Sequence, residues 1–158
     1  MITEQQQIPE GVLTTKGQIG MDQLNPAETF KSGTYVLFAV PGAFTPTCSE
    51  QHLPGYIEHF DKFAEKGVKG IYCLAVNDAF VMASWAKEQG AEGKVTMLSD
   101  GNGVWVEQLG LSMDTGAFGG IRSQRFAMII KDGVVTNLFV ESEKQFDVSS
   151  AEHVLKHL

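Results

Sequence analysis

The run Tyr35-Val36-Leu37-Phe38-Ala39-Val40 is apolar without a break and stops at Pro41-Gly42. A strand with one wet face alternates apolar and polar residues, so an unbroken run needs cover on both faces. That demand constrains the chain more than any other feature: it calls for a sheet sandwiched between two further layers. Gly70 to Val76 repeats the pattern, and Asn77 and Asp78 behind it are good helix N-caps. The helix they open is predicted to run to about Gln89, with Phe80, Val81, Ser84 and Trp85 spaced for one face.

The remaining segments fit around this core. Val12 to Ile19 reads as a β-ribbon turning at Lys16-Gly17, and Thr47 to about Lys66 as a helix interrupted at Pro54-Gly55. Val95 to Leu98 is a short strand and Asn102 to Leu109 a short helix. Arg125 to Ile130 and Val134 to Val140 are strands joined by Lys131-Asp132-Gly133, where Asp-Gly is a strong hairpin signal. Ser149-x-x-Glu152 reads as a capping box opening a last helix to His157. The order β-α-β-α-β-α-β-β-α predicts a three-layer α/β/α sandwich around a mixed central sheet. No repeat, low-complexity tract or linker divides residues 1–158, so one domain is expected.

Composition narrows the function classes. Hydrophobic residues at 43% against 20% charged exclude a disordered chain. The net charge of −7 argues against sequence-independent nucleic-acid binding and against a polybasic membrane patch. The N-terminus lacks a basic region followed by an apolar run, and no apolar stretch approaches the roughly 18 residues of a membrane span. A cytoplasmic location is expected, with both cysteines held as thiols. Two cysteines, Cys48 and Cys73, are too few for a disulfide framework or a four-thiolate zinc site.

The chemistry concentrates in Pro41-Gly42-Ala43-Phe44-Thr45-Pro46-Thr47-Cys48, which leaves a buried strand and opens a helix. Ligand sites of open α/β sheets lie at such strand ends. Pro46 suits the first helical turn, and Cys48 falls within that turn. Unpaired N–H groups there, with the positive end of the helix dipole, favour a thiolate over a thiol. The competing reading is an inert buried cysteine. The Pro-Gly turn and the hydroxyls of Thr45 and Thr47 weigh towards reactivity.

Val40-Pro41-Gly42-Ala43-Phe44-Thr45-Pro46-Thr47-Cys48, followed by His52-Leu53-Pro54-Gly55, resembles the active-site segment of the peroxiredoxin 5 / type II peroxiredoxin family. The similarity continues through Val76-Asn77-Asp78-Ala79-Phe80-Val81, Trp85, Arg125-Phe126, Met128 and Asp132-Gly133. It implies a thioredoxin fold and thiol-dependent reduction of hydroperoxides. By the same resemblance Cys48 attacks the peroxide, Thr45 hydrogen-bonds it, Arg125 stabilises thiolate and transition state, and Pro41 shields the sulfur. The backbone N–H groups of Thr47 and Cys48 are further candidate donors, and Phe44 and Phe118 resemble the pocket lining. Donors aimed at the leaving oxygen lower the barrier selectively, and a guanidinium can contact sulfur and oxygen together.

Other candidates have plainer readings beside them. Arg125 could be a solvated charge at a strand start, and Arg122 competes with it; alternation puts Arg125 on the face of Ala127 and Ile129. Phe44, Phe118 and Pro41 could simply pack. Cys73 sits in a buried-strand pattern and reads as inert, with a resolving role, considered for a second cysteine at a similar position in some plant relatives, as the alternative. The Asp147-Val148-Ser149-Ser150 region lacks the C-terminal cysteine with which some relatives resolve, so an external thiol is expected: glutathione with glutaredoxin, or thioredoxin. His52, four residues after Cys48, raises the rival of a Cys–His hydrolase, against a packing histidine. A non-enzymatic redox sensor is the other rival. His153 and His157 have zinc-like i, i+4 spacing without an evident third ligand, so a solvated face is expected. Gly101-Asn102-Gly103 lacks the P-loop lysine and reads as a loop and cap. Sulfur carries the redox change, so no metal, haem or flavin is called for. Family members commonly pair into homodimers, which makes Phe80 and Trp85 interface candidates.

Overall fold

A computed structural model describes residues 1–17 and 19–158. The unbroken apolar run forms β3 (Thr34–Ala39), in the middle of a seven-stranded sheet. The other strands of that sheet are β1 (Leu13–Lys16), β2 (Met21–Leu24), β4 (Val68–Ala75), β5 (Val95–Ser99), β8 (Phe126–Lys131) and β9 (Val134–Val140). Their order is β2-β1-β5-β4-β3-β8-β9. β3, β4 and β5 run parallel, while β1 and β2 at one end and β8 and β9 at the other pair antiparallel. β6 (Ser112–Asp114) and β7 (Ile121–Ser123) form a separate two-stranded ribbon.

The helices cover both faces. They are α1 (Pro26–Thr29), α2 (Leu53–Glu58), α3 (Phe60–Glu65), α4 (Ala79–Gln89), α5 (Val104–Gln108) and α6 (Ala151–Leu155). Alternation along β3 divides the core. Val36 and Phe38 pack with Tyr56, Phe63, Trp85 and Val154 from α2, α3, α4 and α6. Leu37 and Ala39 pack with Trp105 and Val106 of α5 and with Phe30 beside α1. The expected three-layer α/β/α sandwich with a mixed sheet is the observed architecture. Burying each large side chain is worth about 1.5–3 kcal/mol, so the doubly covered β3 and its neighbour β8 anchor the frame.

Several local expectations need correction. The ribbon turn lies beyond Lys16: β1 pairs with Met21–Leu24, and Gly17 N–H donates to Gly20 O at 2.6 Å. Gln18, inside the predicted ribbon, lies outside the described residues. Pro54 and Gly55 do not interrupt the helix; both sit in the first turn of α2, and the break comes at His59. Pro54 tightens the constraint upstream instead. Lacking an N–H, it leaves the Glu50 carbonyl without its α-helical donor and crowds it. The chain widens into a π-helical turn, Cys48–His52, closed by Leu53 N–H to Cys48 O. The buried face of α4 is Ala79, Met82, Trp85 and Ala86, whereas Phe80 points outward at 73% exposure. Asp78 alone caps α4. The last helix is capped by Ser150, whose side chain accepts from His153 N–H, and not by Ser149.

Candidate active site

The active-site turn leaves β3 at Val40, whose N–H donates to Leu74 O at 3.0 Å. Asn77, placed between β4 and α4, accepts the Ala43 N–H on its side-chain oxygen at 2.8 Å. Ser99 Oγ in turn donates to Asn77 O at 2.6 Å. Phe44 takes φ +65°, a conformation L residues rarely adopt, and turns its ring outward to 48% exposure. Thr45 Oγ1 donates to Gly42 O at 2.6 Å, which commits its proton and leaves its oxygen lone pairs as acceptors.

Cys48 begins the π-helical turn and is fully buried. Arg125 Nη2 donates to its sulfur at 3.0 Å. The alternation argument for Arg125 holds: Ala127 and Ile129 belong to the same core cluster as Cys48. Arg122 goes elsewhere. Its Nη1 donates to Pro41 O at 3.0 Å and its Cζ lies 6.0 Å from the Phe118 ring centroid. Its guanidinium is threaded so closely between Gly42 and Gly119 that a Cβ on either would collide with it. Arg122 therefore props the turn, and Arg125 serves the sulfur.

His52 is buried and does not act on the sulfur. Its Nε2–H donates to Ser149 O at 3.0 Å, and its Nδ1 accepts from Arg125 Nη1 at 2.8 Å. Burial first, then the Arg125 charge, lower its pKa to about 3. A neutral imidazole with both nitrogens engaged is no general base for Cys48, which removes the basis for a Cys–His hydrolase. His52 orients Arg125 instead.

Pro41, Thr47, Gln51, Gln124, Arg125 and Phe146 help to line a cleft of about 860 Å³ beside the buried sulfur. Phe44 and Phe118 are not among its lining; Phe118 stands 83% exposed on the surface. Cys73 is the other free cysteine, buried in β4, and burial followed by the proximity of Cys48 pushes its thiol well above the usual range. Among the described residues, no three metal-ligating side chains gather, and no helix is long and apolar enough to cross a membrane. His153 and His157 pack against each other and against Phe139 in edge-on and tilted pairs, with centroids 4.8–4.9 Å apart.

A family model described as Redoxin matches residues 3–155. The chain belongs to the Redoxin family. Its similarity to known proteins is with peroxiredoxins. It is 42% identical over 153 residues to Peroxiredoxin-2B of Arabidopsis thaliana, covering 96% of this chain and 94% of that one. It is 47% identical over 128 residues to the chloroplastic Peroxiredoxin-2E of the same plant, covering 78% of this chain and 54% of that relative, about half its length. The crystal structure of reduced Prx3 from Vibrio vulnificus in complex with hydrogen peroxide superposes with a TM-score of 0.97 at 51% identity, covering 99% of both chains. The chain is a peroxiredoxin with a thioredoxin fold, a thiol-dependent peroxidase.

The sequence missed three contributors to this site: His52 as an orienting group, Asn77 as the anchor of the turn, and Ser149 as the acceptor behind His52. His52 carried one usable signal, its i+4 spacing from Cys48, which places both side chains on one side of a helical turn.

Proposed function

We propose that Cys48 reduces hydrogen peroxide and small alkyl hydroperoxides, and that an external thiol returns it to the reduced state. The observation behind this reading is the guanidinium of Arg125 set 3.0 Å from the buried sulfur. A permanent cation at that distance stabilises negative charge on sulfur and then on the departing oxygen. Thr45, its proton already given to Gly42 O, can accept a peroxide O–H. The Cys48 thiolate attacks one peroxide oxygen; the S–O bond forms as the O–O bond breaks. The leaving oxygen takes a proton and departs as water or an alcohol, and sulfur becomes a sulfenic acid. A reductant thiol condenses with it, releasing water and leaving a mixed disulfide, which a second thiol reduces. The full burial of Cys48 favours small oxidants.

External resolution is supported by Cys73, whose buried thiol is kept protonated and so is a poor attacker. Glutathione with glutaredoxin, or thioredoxin, supplies the reductant. Two free thiols suit a reducing compartment such as the cytoplasm. The outward rings of Phe44, Phe80 and Phe118 support a homodimer through the surface flanking the turn. Trp85, fully buried and donating to Ser49 Oγ at 3.0 Å, holds α4 against the Cys48 turn. The Gln7–Val134 bridge and the bond from Ile2 N–H to Leu109 O tie the N-terminal segment to the body, which supports reading residues 1–158 as one domain. Peroxide turnover measured side by side with the thioredoxin and glutaredoxin systems tests the reading. It requires turnover with at least one of them and none in Cys48→Ser; oxidation at the slow rate of a free cysteine would instead make the protein a sensor.

A further inference from the structure

Behind the active-site arginine stands a second tier of contacts that the peroxide chemistry above does not use. Glu141 follows β9, directly beside Arg125 at the end of the hairpin, and its backbone N–H donates to Arg125 O at 3.0 Å. Its side chain turns the other way. One carboxylate oxygen, Oε2, accepts three donors: Asp147 N–H at 2.7 Å, Ser149 N–H at 2.8 Å and Ser149 Oγ at 2.7 Å. These bonds gather the segment between β9 and α6 into a tight clasp around one carboxylate.

The clasp ends on the carbonyl of Ser149, a fully buried residue. That carbonyl receives His52 Nε2–H at 3.0 Å and the Tyr56 hydroxyl at 2.7 Å, which fills both of its lone pairs. Fixing the proton on Nε2 leaves Nδ1 as the acceptor that Arg125 Nη1 meets at 2.8 Å, and the second arm of the same planar guanidinium then reaches Cys48 Sγ at 3.0 Å. Phe146, from within the clasped segment, closes on the His52 ring with centroids 5.1 Å apart.

We propose that Glu141 is a positioning residue for the peroxide reaction: its carboxylate sets the Ser149 carbonyl, which fixes His52, which aims Arg125 at Cys48. Three donors on one oxygen are charge-assisted bonds, strongest to the ionised form, while a neutral amide oxygen still accepts them more weakly. Burial raises the Glu141 pKa, but the bonds from Ser149 and Asp147 outweigh it and hold the carboxyl below its ordinary range. The segment that Glu141 gathers also lines the cleft, so the group that aims the arginine shapes the entrance as well.

This inference rests on Cys48 being the peroxide-reacting thiol, and the two can fail separately. If that reading fails, the parent protein itself does not oxidise at Cys48; if only the positioning role fails, the parent reacts and the variants match it. The test uses the full chain and stopped-flow oxidation by hydrogen peroxide, with alkylation by iodoacetamide as a reaction that needs no donor on a leaving oxygen. Glu141→Ala is expected to lower the peroxide rate about tenfold, and to lower it more than the alkylation rate. Glu141→Gln, which keeps an acceptor oxygen, recovers the rate to within about threefold of the parent. In a His52→Leu background, Glu141→Ala changes the peroxide rate by less than about twofold, because the link it acts through is gone. A folded Glu141→Ala that oxidises like the parent overturns the proposal, as does an unchanged ratio of peroxide to alkylation rate or a full loss persisting in His52→Leu. Should Glu141→Ala fail to fold, Glu141→Gln decides by the same comparison: its loss must vanish in the His52→Leu background, and an equal loss in both overturns the proposal.

Discussion

Replacing His52 by leucine should flatten the acid side of the protein's stability profile. The imidazole is buried, and its pKa falls from 6.5 to about 3 on folding. Between those values the unfolded chain binds a proton that the folded chain refuses, so stability rises with pH there. The contribution is complete above pH 6.5 and is lost as the pH falls towards 3. At 1.36 kcal/mol per unit, the whole window amounts to about 5 kcal/mol. By pH 5 the protein should already have lost about 2 kcal/mol through His52 alone. Urea unfolding at pH 8 and pH 5 reads this directly. With a slope of about 2 kcal/mol per molar, the parent midpoint should drop by about 1 M more than that of His52→Leu. The other ionisable groups are common to both proteins and cancel in the difference. Leucine leaves Arg125 Nη1 and one lone pair of Ser149 O without a partner, so the variant is weaker at pH 8; only its pH slope bears on the argument. Parallel profiles for the two proteins would refute the claim that His52 stays neutral inside the fold.

Arg125→Gln removes the permanent charge from the sulfur and should slow peroxide oxidation by about 10²–10³-fold, followed by stopped-flow tryptophan fluorescence. Thr45→Val keeps the shape of the turn but loses the acceptor, and a loss of about tenfold or more is expected in the same assay; parent-like rates in both would misplace the site. Cys73→Ser should sustain turnover with external thiols, because a protonated, buried thiol resolves nothing; abolished turnover with every reductant, in a folded protein, would assign it the resolving role. Phe80→Asp puts a charge on an exposed ring position and should dissociate a homodimer in light scattering while leaving the fold intact.

How far the fold could be read from the sequence depended on what burial does to the pattern. Tyr35 to Val40 is covered on both faces, and its unbroken run located β3 and the three-layer arrangement. β6 and β7 went unseen because three residues each, half in solvent, leave no periodicity to detect. The π-helical turn was hidden for another reason. Pro54 suggested an interruption at itself, but its missing N–H acts on the carbonyl four residues earlier, so the distortion appears upstream at Cys48–His52. Ser149 resembled an N-cap by spacing, yet Glu141, distant in local sequence terms, claimed its hydroxyl and shifted the cap to Ser150. Arg125 was legible because strand alternation fixes a face. Asn77 and Glu141 were not, since each acts through a contact that only tertiary packing creates; His52 showed its i+4 spacing from Cys48 but not its partners Arg125 and Ser149.

The choice of a neutral partner behind Arg125 has an electrostatic consequence. A carboxylate at position 52 would hold the guanidinium more tightly, since bonds to a charged acceptor are roughly twice as strong. It would also set a negative charge one guanidinium away from the sulfur, opposing the charge that the reaction must place there. Imidazole kept neutral by burial accepts the Nη1 bond at 2.8 Å without adding charge. Among the described residues no carboxylate lies within ion-pair distance of Arg125, so its full charge faces Cys48. The nearest acid in sequence pairing, Glu141, spends its charge on Asp147 and Ser149 instead. Orientation and charge are thus supplied by different residues: Glu141 and His52 hold the guanidinium in place, and neither takes its charge away from the sulfur. His52→Glu separates the two contributions, because it keeps an acceptor at that position while adding the charge. It should slow peroxide oxidation more than His52→Asn does, and the reverse order would show that holding the arginine matters more than leaving its charge free.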